Sequence, residues 1–422
     1  MRIPAGCLAE RVGTHLPLRA DLMTSRWLAL AVLTIARVSL GFQFQSLAAL
    51  FPLLRQDFTM SYADLGFLMG LYMSPGIVLA IPGGLLGRRF GDKRMVCIGL
   101  ALMTLGGVLM GRADTYTVML VGRLLAGVGA ILLAVLMSKM ITDWFAGREI
   151  VLAMAIFVNS FPIGIGLALA ILGPLGDFYG WRTAEYATSA LTLICLVLVS
   201  FICPRHPNDS GAGMPTADAA FLSSREIALV CVAGAIWGVY NGTHSIILSF
   251  TPVLLAGAGV SIGVAGFLLG LSNWLVVLSV LVGGIVAQRW GHASLIMLVS
   301  SALWCICLFA LPSVDPAVPL IAIGLLQGLP VGIILALPVA VLRPQSRAMG
   351  MGLFFTCLYI GHTALPPISG GLQDLTHENS TSLYFAGSLV LLMTVLFAVF
   401  RLLQKQALPA VSPAAARGAN VL

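Results

Sequence analysis

Charge is what this sequence lacks. Only 9% of its 422 residues are Asp, Glu, Lys or Arg, against about 25% in an ordinary soluble domain. Hydrophobic residues make up 59%, and mean hydropathy is +1.01. So few charges cannot cover a water-soluble surface, which excludes soluble enzymes, secreted modules and disordered chains. Carboxylates are the scarcest charges, 16 in all. All fall in loops, tails or at the ends of apolar runs, with Asp64, Asp143, Glu149 and Glu185 nearest to a run. The eight Cys form no CxxC pair, and most sit inside apolar runs. There Cys acts as a small packing residue, which argues against disulfides and metal. No Ser/His/Asp set, metal-ligand cluster or carboxylate pair occurs at membrane depth, which argues against a membrane enzyme and calls for no cofactor. A membrane sensor would need a signalling domain, and neither tail offers one.

What is present is apolar sequence in long stretches. At about 20 residues per helical span, twelve spans are predicted, at 27–50, 62–86, 95–111, 116–140, 149–174, 183–203, 226–256, 262–287, 294–312, 317–342, 347–370 and 383–403. No apolar stretch with a cleavage site precedes residue 26, so the first run reads as a retained span. The net charge of +7 does not point to nucleic acid, because the basic residues follow the topology. With a cytoplasmic N-terminus, 17 of the 23 Lys and Arg fall on the cytoplasmic side. Only Arg55, Arg112 and Arg182 fall outside, and Arg37, Arg123 and Lys139 lie within spans. That asymmetry is the positive-inside signal, and an even span number puts both termini in the cytoplasm. Trp27, Trp144, Trp181 and Trp290 stand near span ends, as interfacial anchors do. The polar stretch 204–225 reads as a flexible linker. The organisation expected is a segment 1–25, a six-helix half 26–203, the linker 204–225, a second half 226–403 and a tail 404–422.

The halves repeat at an offset of about 200 residues. Gly83-Gly84-Leu85-Leu86-Gly87-Arg88-Arg89-Phe90-Gly91 faces Gly283-Gly284-Ile285-Val286-Ala287-Gln288-Arg289-Trp290-Gly291. Pro52 meets Pro252, Gly66 meets Gly266 and Gly70 meets Gly270. Repeated halves of this kind mark transporters that rock around a central site. The loop motif Gly84 to Arg94 and the span-four motif Gly122-Arg123-Leu124-Leu125-Ala126-Gly127 resemble signatures of the major facilitator superfamily, over about residues 26–403. The resemblance implies an all-α polytopic membrane protein of twelve helices in two pseudo-symmetric halves. It also implies a gate at Gly84, Arg88, Arg89, Gly91 and Asp92. In that motif Arg88 stands where the family has Asp, so an inverted Arg88–Asp92 pair is a possible substitute. Asn159 to Gly164 and Gly180 to Arg182 resemble the cyanate- and nitrate-type permease branch. Gly173-Pro174-Leu175-Gly176 is similar to part of a motif of superfamily exporters.

The buried basic residues carry the functional reading. Arg37 lies ten residues past Trp27, about 15 Å along a helix and near the bilayer midplane. A charge there costs at least about 2.5–3.5 kcal/mol, so it faces a cavity or a partner. With no carboxylate at that depth, the expectation is a positively charged cavity that attracts anions. The alternative is that Arg37 bonds carbonyls or an amide such as Gln45. Arg123 divides evenly between ligand contact and structure, and Lys139 reads as snorkelling to the headgroups. Trp237, Asn241, His244 and Leu248 share one helix face, as do Tyr359 and His362. Asn159, Asn273 and Gln327 read as amides joining helices. Candidate substrate contacts are Arg37, Gln45, Arg123, Trp237, Asn241, His244, Tyr359 and His362. Proton-coupling candidates are His244 and His362, whose ordinary pKa is near 6.5, and Glu185 near the outer surface.

The expectation is a monomeric secondary transporter of a small anion in a bacterial inner membrane. It works by alternating access, with proton-coupled import of an inorganic anion or a small carboxylate. The competing reading is a drug or metabolite exporter of the same fold.

Overall fold

A computed structural model of the chain describes residues 16–79, 82–145, 149–204, 222–343 and 345–407. Its helices run in chain order as α1 (Leu16–Asp57), α2 (Tyr62–Met73), α3 (Pro75–Leu79), α4 (Pro82–Phe90), α5 (Asp92–Gly111), α6 (Tyr116–Trp144), α7 (Ile150–Tyr179) and α8 (Trp181–Phe201). The second series is α9 (Ser224–Gly257), α10 (Ile262–Trp290), α11 (Ala293–Ala310), α12 (Ala317–Gln327), α13 (Val331–Val339), α14 (Arg347–Thr376) and α15 (Thr381–Ala407). Twelve spans are long and apolar enough to cross a membrane, and no strand occurs among the described residues. Two spans are interrupted helices. Span two breaks at Ser74 before Pro75, and span ten breaks at Gly328-Leu329-Pro330. Proline explains both breaks, since it lacks the N–H that would continue the ladder. Each of the twelve expected runs overlaps one of these spans, with ends that differ by up to seven residues. The first helix begins at Leu16, earlier than the hydropathy implied.

Local signals set the helix starts. Ser61 and Asp64 form a reciprocal capping box at α2, and Ser223 and Glu226 form one at α9. Each satisfies amides that the first helical turn leaves without partners. Gly91 starts α5 with φ 89°, a conformation that a side chain would strain.

Odd spans run away from the face where α1 begins and α15 ends, and even spans run back. The two halves meet in the parts of their helices remote from that face. There α2 packs on α14, and α7 packs on α10. Their contacts depend on glycine. A side chain at Gly66 would collide with the backbone of Pro366 and Pro367, and one at Gly266 would collide with the carbonyl of Leu169. Close backbone approach of this kind is what small residues allow between membrane helices. Polar bonds cross the same seam. Asp374 at the end of α14 accepts from the amides of Tyr62 and Ala63 at 2.9 and 2.8 Å. Gln45 Nε2 donates to the Leu248 carbonyl at 2.9 Å. Asn273 Nδ2 donates to the Pro162 carbonyl at 2.6 Å, a bond between α10 and α7.

Gly266→Val should force this seam apart. Overpacking costs about 1–3 kcal/mol, or roughly tenfold or more in the balance between closed and parted halves. Amide exchange should quicken over residues 62–70 and 162–174 while residues 95–110 stay unchanged. Equal exchange in both segments would mean that the seam tolerates a side chain.

Candidate functional site

Between the glycine seam and the face where α1 begins and α15 ends lies a cavity of about 320 Å³. Residues from both halves line it. The first half contributes Arg37 and Leu40 from α1, Ala130 and Ala134 from α6, and Asn159, Phe161 and Pro162 from α7. The second half contributes Trp237, Tyr240, Asn241 and His244 from α9, Asn273 and Val277 from α10, and Phe355, Tyr359 and His362 from α14. No carboxylate is among the lining residues.

Arg37 is half-buried and makes no ion pair or hydrogen bond with the described residues. Its guanidinium lies over the Phe157 ring at 4.6 Å and near Phe161 at 6.0 Å. Stacking on a ring face satisfies part of the charge and leaves the N–H edge free. The Nε atom is buried without a partner.

The facing wall is aromatic. Trp237 stacks on Tyr240 with ring centroids 5.1 Å apart and on Phe354 at 6.4 Å. Asn241 Nδ2 donates to the carbonyl of Trp237 one turn back. His244 Nδ1 and Gln327 Nε2 lie 2.6 Å apart, and Tyr240 donates its hydroxyl to the Gln327 carbonyl at 3.2 Å. With the amide nitrogen donating, His244 keeps its proton on Nε2. His362 is buried, packs edge-on against Phe44 at 5.5 Å, and leaves Nε2 without a hydrogen bond. Tyr359 packs against Gly76, where a side chain would strike its ring.

Six of the eight expected substrate contacts therefore line one cavity: Arg37, Trp237, Asn241, His244, Tyr359 and His362. Gln45 and Arg123 do not. Gln45 is fully buried in the seam, bound to Leu248. Arg123 is 1% exposed and spends its donors on backbone carbonyls. Nε reaches Leu68 at 3.2 Å, Nη1 reaches Gln43 at 3.2 Å and Nη2 reaches Phe44 at 3.1 Å, while the guanidinium covers Tyr72 at 4.7 Å. It ties α6 to α1 and α2, with Nη2 also reaching the Met69 sulfur at 3.5 Å, and does not line the cavity.

Three other expectations change. Glu185, near a span end in depth, is buried inside the first half. It is 1% exposed, accepting from Ser46 Oγ at 2.8 Å and from Thr188 Oγ1 at 3.4 Å. It begins the second turn of α8, where linear sequence reads as a span end. Lys139 does not snorkel. Its ammonium pairs with Asp92 at 2.5 Å and lies 3.9 Å from Asp143. Asp92 therefore has Lys139 as a counter-ion, and the Arg88 side chain falls outside the description, as does the surrounding of Gly84. Arg89 is exposed, with its guanidinium near the Phe90 ring at 5.4 Å. Trp181 is buried and donates Nε1 to Asp57 at 2.7 Å instead of standing in the interface. The side chain of Trp290 is not described.

Sequence reasoning missed Phe157, Phe161, Tyr240 and Phe355. Aromatic residues in an apolar run carry no signal of their own. Spacing from Arg37 offers none either, since Phe157 lies on another helix. Tyr240 could have been found, being three residues from Trp237. The ion pair of Glu226 with Arg343 at 2.8 Å, joined by the Ser346 hydroxyl at 2.7 Å, was likewise not legible.

Twelve spans in two halves around a shared cavity define a membrane transporter that rocks about a central site. The comparisons agree. The model of the Major Facilitator Superfamily matches residues 33–261 and 232–422. The chain belongs to the major facilitator superfamily. Among solved structures, a mutant of the nucleoside transporter NupG superposes with a TM-score of 0.74 at 16% identity, covering 88% of this chain and 99% of that one. The inward-open xylose transporter XylE from E. coli gives a TM-score of 0.72 at 12% identity, over 88% and 95%. A bacterial homolog of the human lysosomal transporter Spinster, inward-facing and unoccupied, gives 0.71 at 15% identity, over 90% and 96%.

Arg123→Gln should lower the melting temperature by several degrees. It leaves three carbonyls short of a charged donor, a cost on the order of 2 kcal/mol. A cavity ligand should bind this variant as it binds the wild type. Weakened binding at an unchanged melting temperature would assign Arg123 to the ligand instead.

Proposed function

We propose that this protein is a secondary transporter of a small anion, working by alternating access around the Arg37 cavity. One observation carries the reading. Arg37 holds a fixed positive charge in mid-span, on the wall of a cavity where the described residues supply neither a counter-ion for it nor a carboxylate to the lining. Such a charge is costly unless something negative or strongly polar visits it. The low dielectric strengthens its pull on anions and its repulsion of cations, which disfavours export of cationic drugs. The similarity of Asn159 to Gly164 and Gly180 to Arg182 to the cyanate- and nitrate-type permease branch supports the same charge class.

The excess of Lys and Arg on the face where α1 begins and α15 ends supports a cytoplasmic orientation for it, and a bacterial inner membrane is the compartment we propose. The cavity then lies on the cytoplasmic side of the seam, in an inward-facing state. Import coupled to protons is the direction we propose. His362 is the first candidate to carry the proton, because it lines the cavity and its Nε2 has no hydrogen bond. His244 is tied to Gln327. Glu185 is walled off from the cavity, held by hydroxyl donors alone.

Thermal stabilisation of the purified protein by anions, cations and neutral solutes tests the charge class. A ligand that binds only the folded state raises its stability. Stabilisation by an anion, lost in Arg37→Gln, is the expected result. Stabilisation by cationic or neutral amphiphiles, indifferent to Arg37, would move the exporter to first place.

Uptake into proteoliposomes should rise as the outside pH falls, and His362→Gln should flatten that dependence. A full pH response in both His362→Gln and His244→Gln would move the proton to Glu185, with Glu185→Gln as the next variant.

A further inference from the structure

The cavity's walls say more about its ligand than its single charge does. We infer that the transported anion is an organic monocarboxylate with an apolar body, aromatic or branched aliphatic, and not an inorganic ion. This rests on the anion reading of the same cavity and narrows it.

Size is the first argument. A triatomic inorganic anion has about the bulk of one or two waters, each about 30 Å³. The cavity measures about 320 Å³, within the range of about 300–1,000 Å³ that holds organic ligands.

Wall chemistry is the second. A small inorganic anion is strongly hydrated, and a site that takes it must replace that shell with donors on most sides. Here the donors are gathered at a few points, and Trp237, Phe355, Val277 and Leu40 form apolar wall between them. Water against such a wall is released when an apolar body covers it, a gain in proportion to the area covered. Tyr240 and Trp237, stacked on each other and backed by the buried Phe354, hold that wall in advance.

Geometry of the charge is the third. Phe157 covers the face of the Arg37 guanidinium, so its N–H edge is the part that can meet a ligand. That edge is a planar fork matched to two carboxylate oxygens. His244 and His362 add charge to the cavity only by taking up a proton, so the fixed charge matches one carboxylate. Trp237 Nε1, Asn273 Oδ1 and His362 Nε2 are buried without a hydrogen bond. All three belong to cavity-lining residues of the half that faces Arg37.

The experiment measures thermal stabilisation of the purified full chain by benzoate, 4-methylpentanoate, nitrate, cyanate, benzamide and benzylammonium. The expected result is a shift with one or both carboxylates and none with the other four. Affinity should fall about tenfold or more in Arg37→Gln. It should fall comparably in Val277→Phe, which fills the cavity without touching the charge. Arg37→Lys serves if the glutamine variant does not fold. It keeps the charge but loses the fork, so binding should weaken there too. Labelled benzoate or 4-methylpentanoate, whichever binds, should also exchange into proteoliposomes loaded with the unlabelled acid.

A shift with nitrate or cyanate that depends on Arg37, with none from either carboxylate, overturns this inference and leaves the anion reading standing. A shift with benzamide or benzylammonium that ignores Arg37 overturns both. Carboxylate binding unaffected by every variant places the ligand elsewhere and overturns the inference, as does no carboxylate shift at all.

Discussion

A positive charge inside a membrane protein must be answered by something, and the form of the answer decides what the charge is for. Two arginines lie deep in the first half of this chain. Arg123 is answered by three backbone carbonyls, the Met69 sulfur and the face of Tyr72. Arg37 is answered by aromatic faces alone. A ring face attracts a cation through its quadrupole but accepts no conventional hydrogen bond, so the N–H edge still lacks partners. The same residue type thus serves as a structural rivet in one helix and as an open electrostatic site in another. That difference orients the cavity, because the rest of its wall is neutral.

The position of the open site follows from where the halves touch. Glycines bring α2 onto α14 and α7 onto α10 at backbone distance, and no ligand fits through such a seam. The cavity forms where the same helices diverge toward the face where α1 begins and α15 ends. Asn273 serves both regions. Its amide nitrogen closes a bond to Pro162 across the seam, and the residue also lines the cavity. Pro162 lines the cavity as well. Ligand contact and closure of the halves therefore share residues, which is the physical requirement for one to influence the other.

The fold was largely legible because the bilayer imposes a strong rule: spans of about 20 apolar residues with basic loops on one side. The repeat at an offset of about 200 residues made the two halves visible. The cavity was legible where polar residues interrupt apolar helices, as with Arg37, His244, Asn241 and His362. It was illegible where the interruption is itself apolar, as with Phe157, or where the partner lies in a distant helix. Glu185 shows the limit well. Linear position puts it near a span end, yet packing against α1 buries it beside Ser46. Lys139 shows the same limit from the other side, since nothing in its neighbourhood names Asp92, 47 positions earlier, as its counter-ion. Depth and exposure are different quantities, and a linear sequence reports only the first.

The carboxylate of Asp374 has a consequence for how readily the seam parts. It caps a helix that belongs to the opposite half, taking the amides of Tyr62 and Ala63. A helix start carries a partial positive charge that a carboxylate stabilises. Water can take over the same two amides once the halves separate. The fastening is thus an exchange of one acceptor for another at a wet edge, and little free energy separates the fastened and released forms. Dissolved salt screens attractions of this type. Ionic strength at that face therefore enters the balance between the two orientations of the cavity, even though no salt ion occupies it.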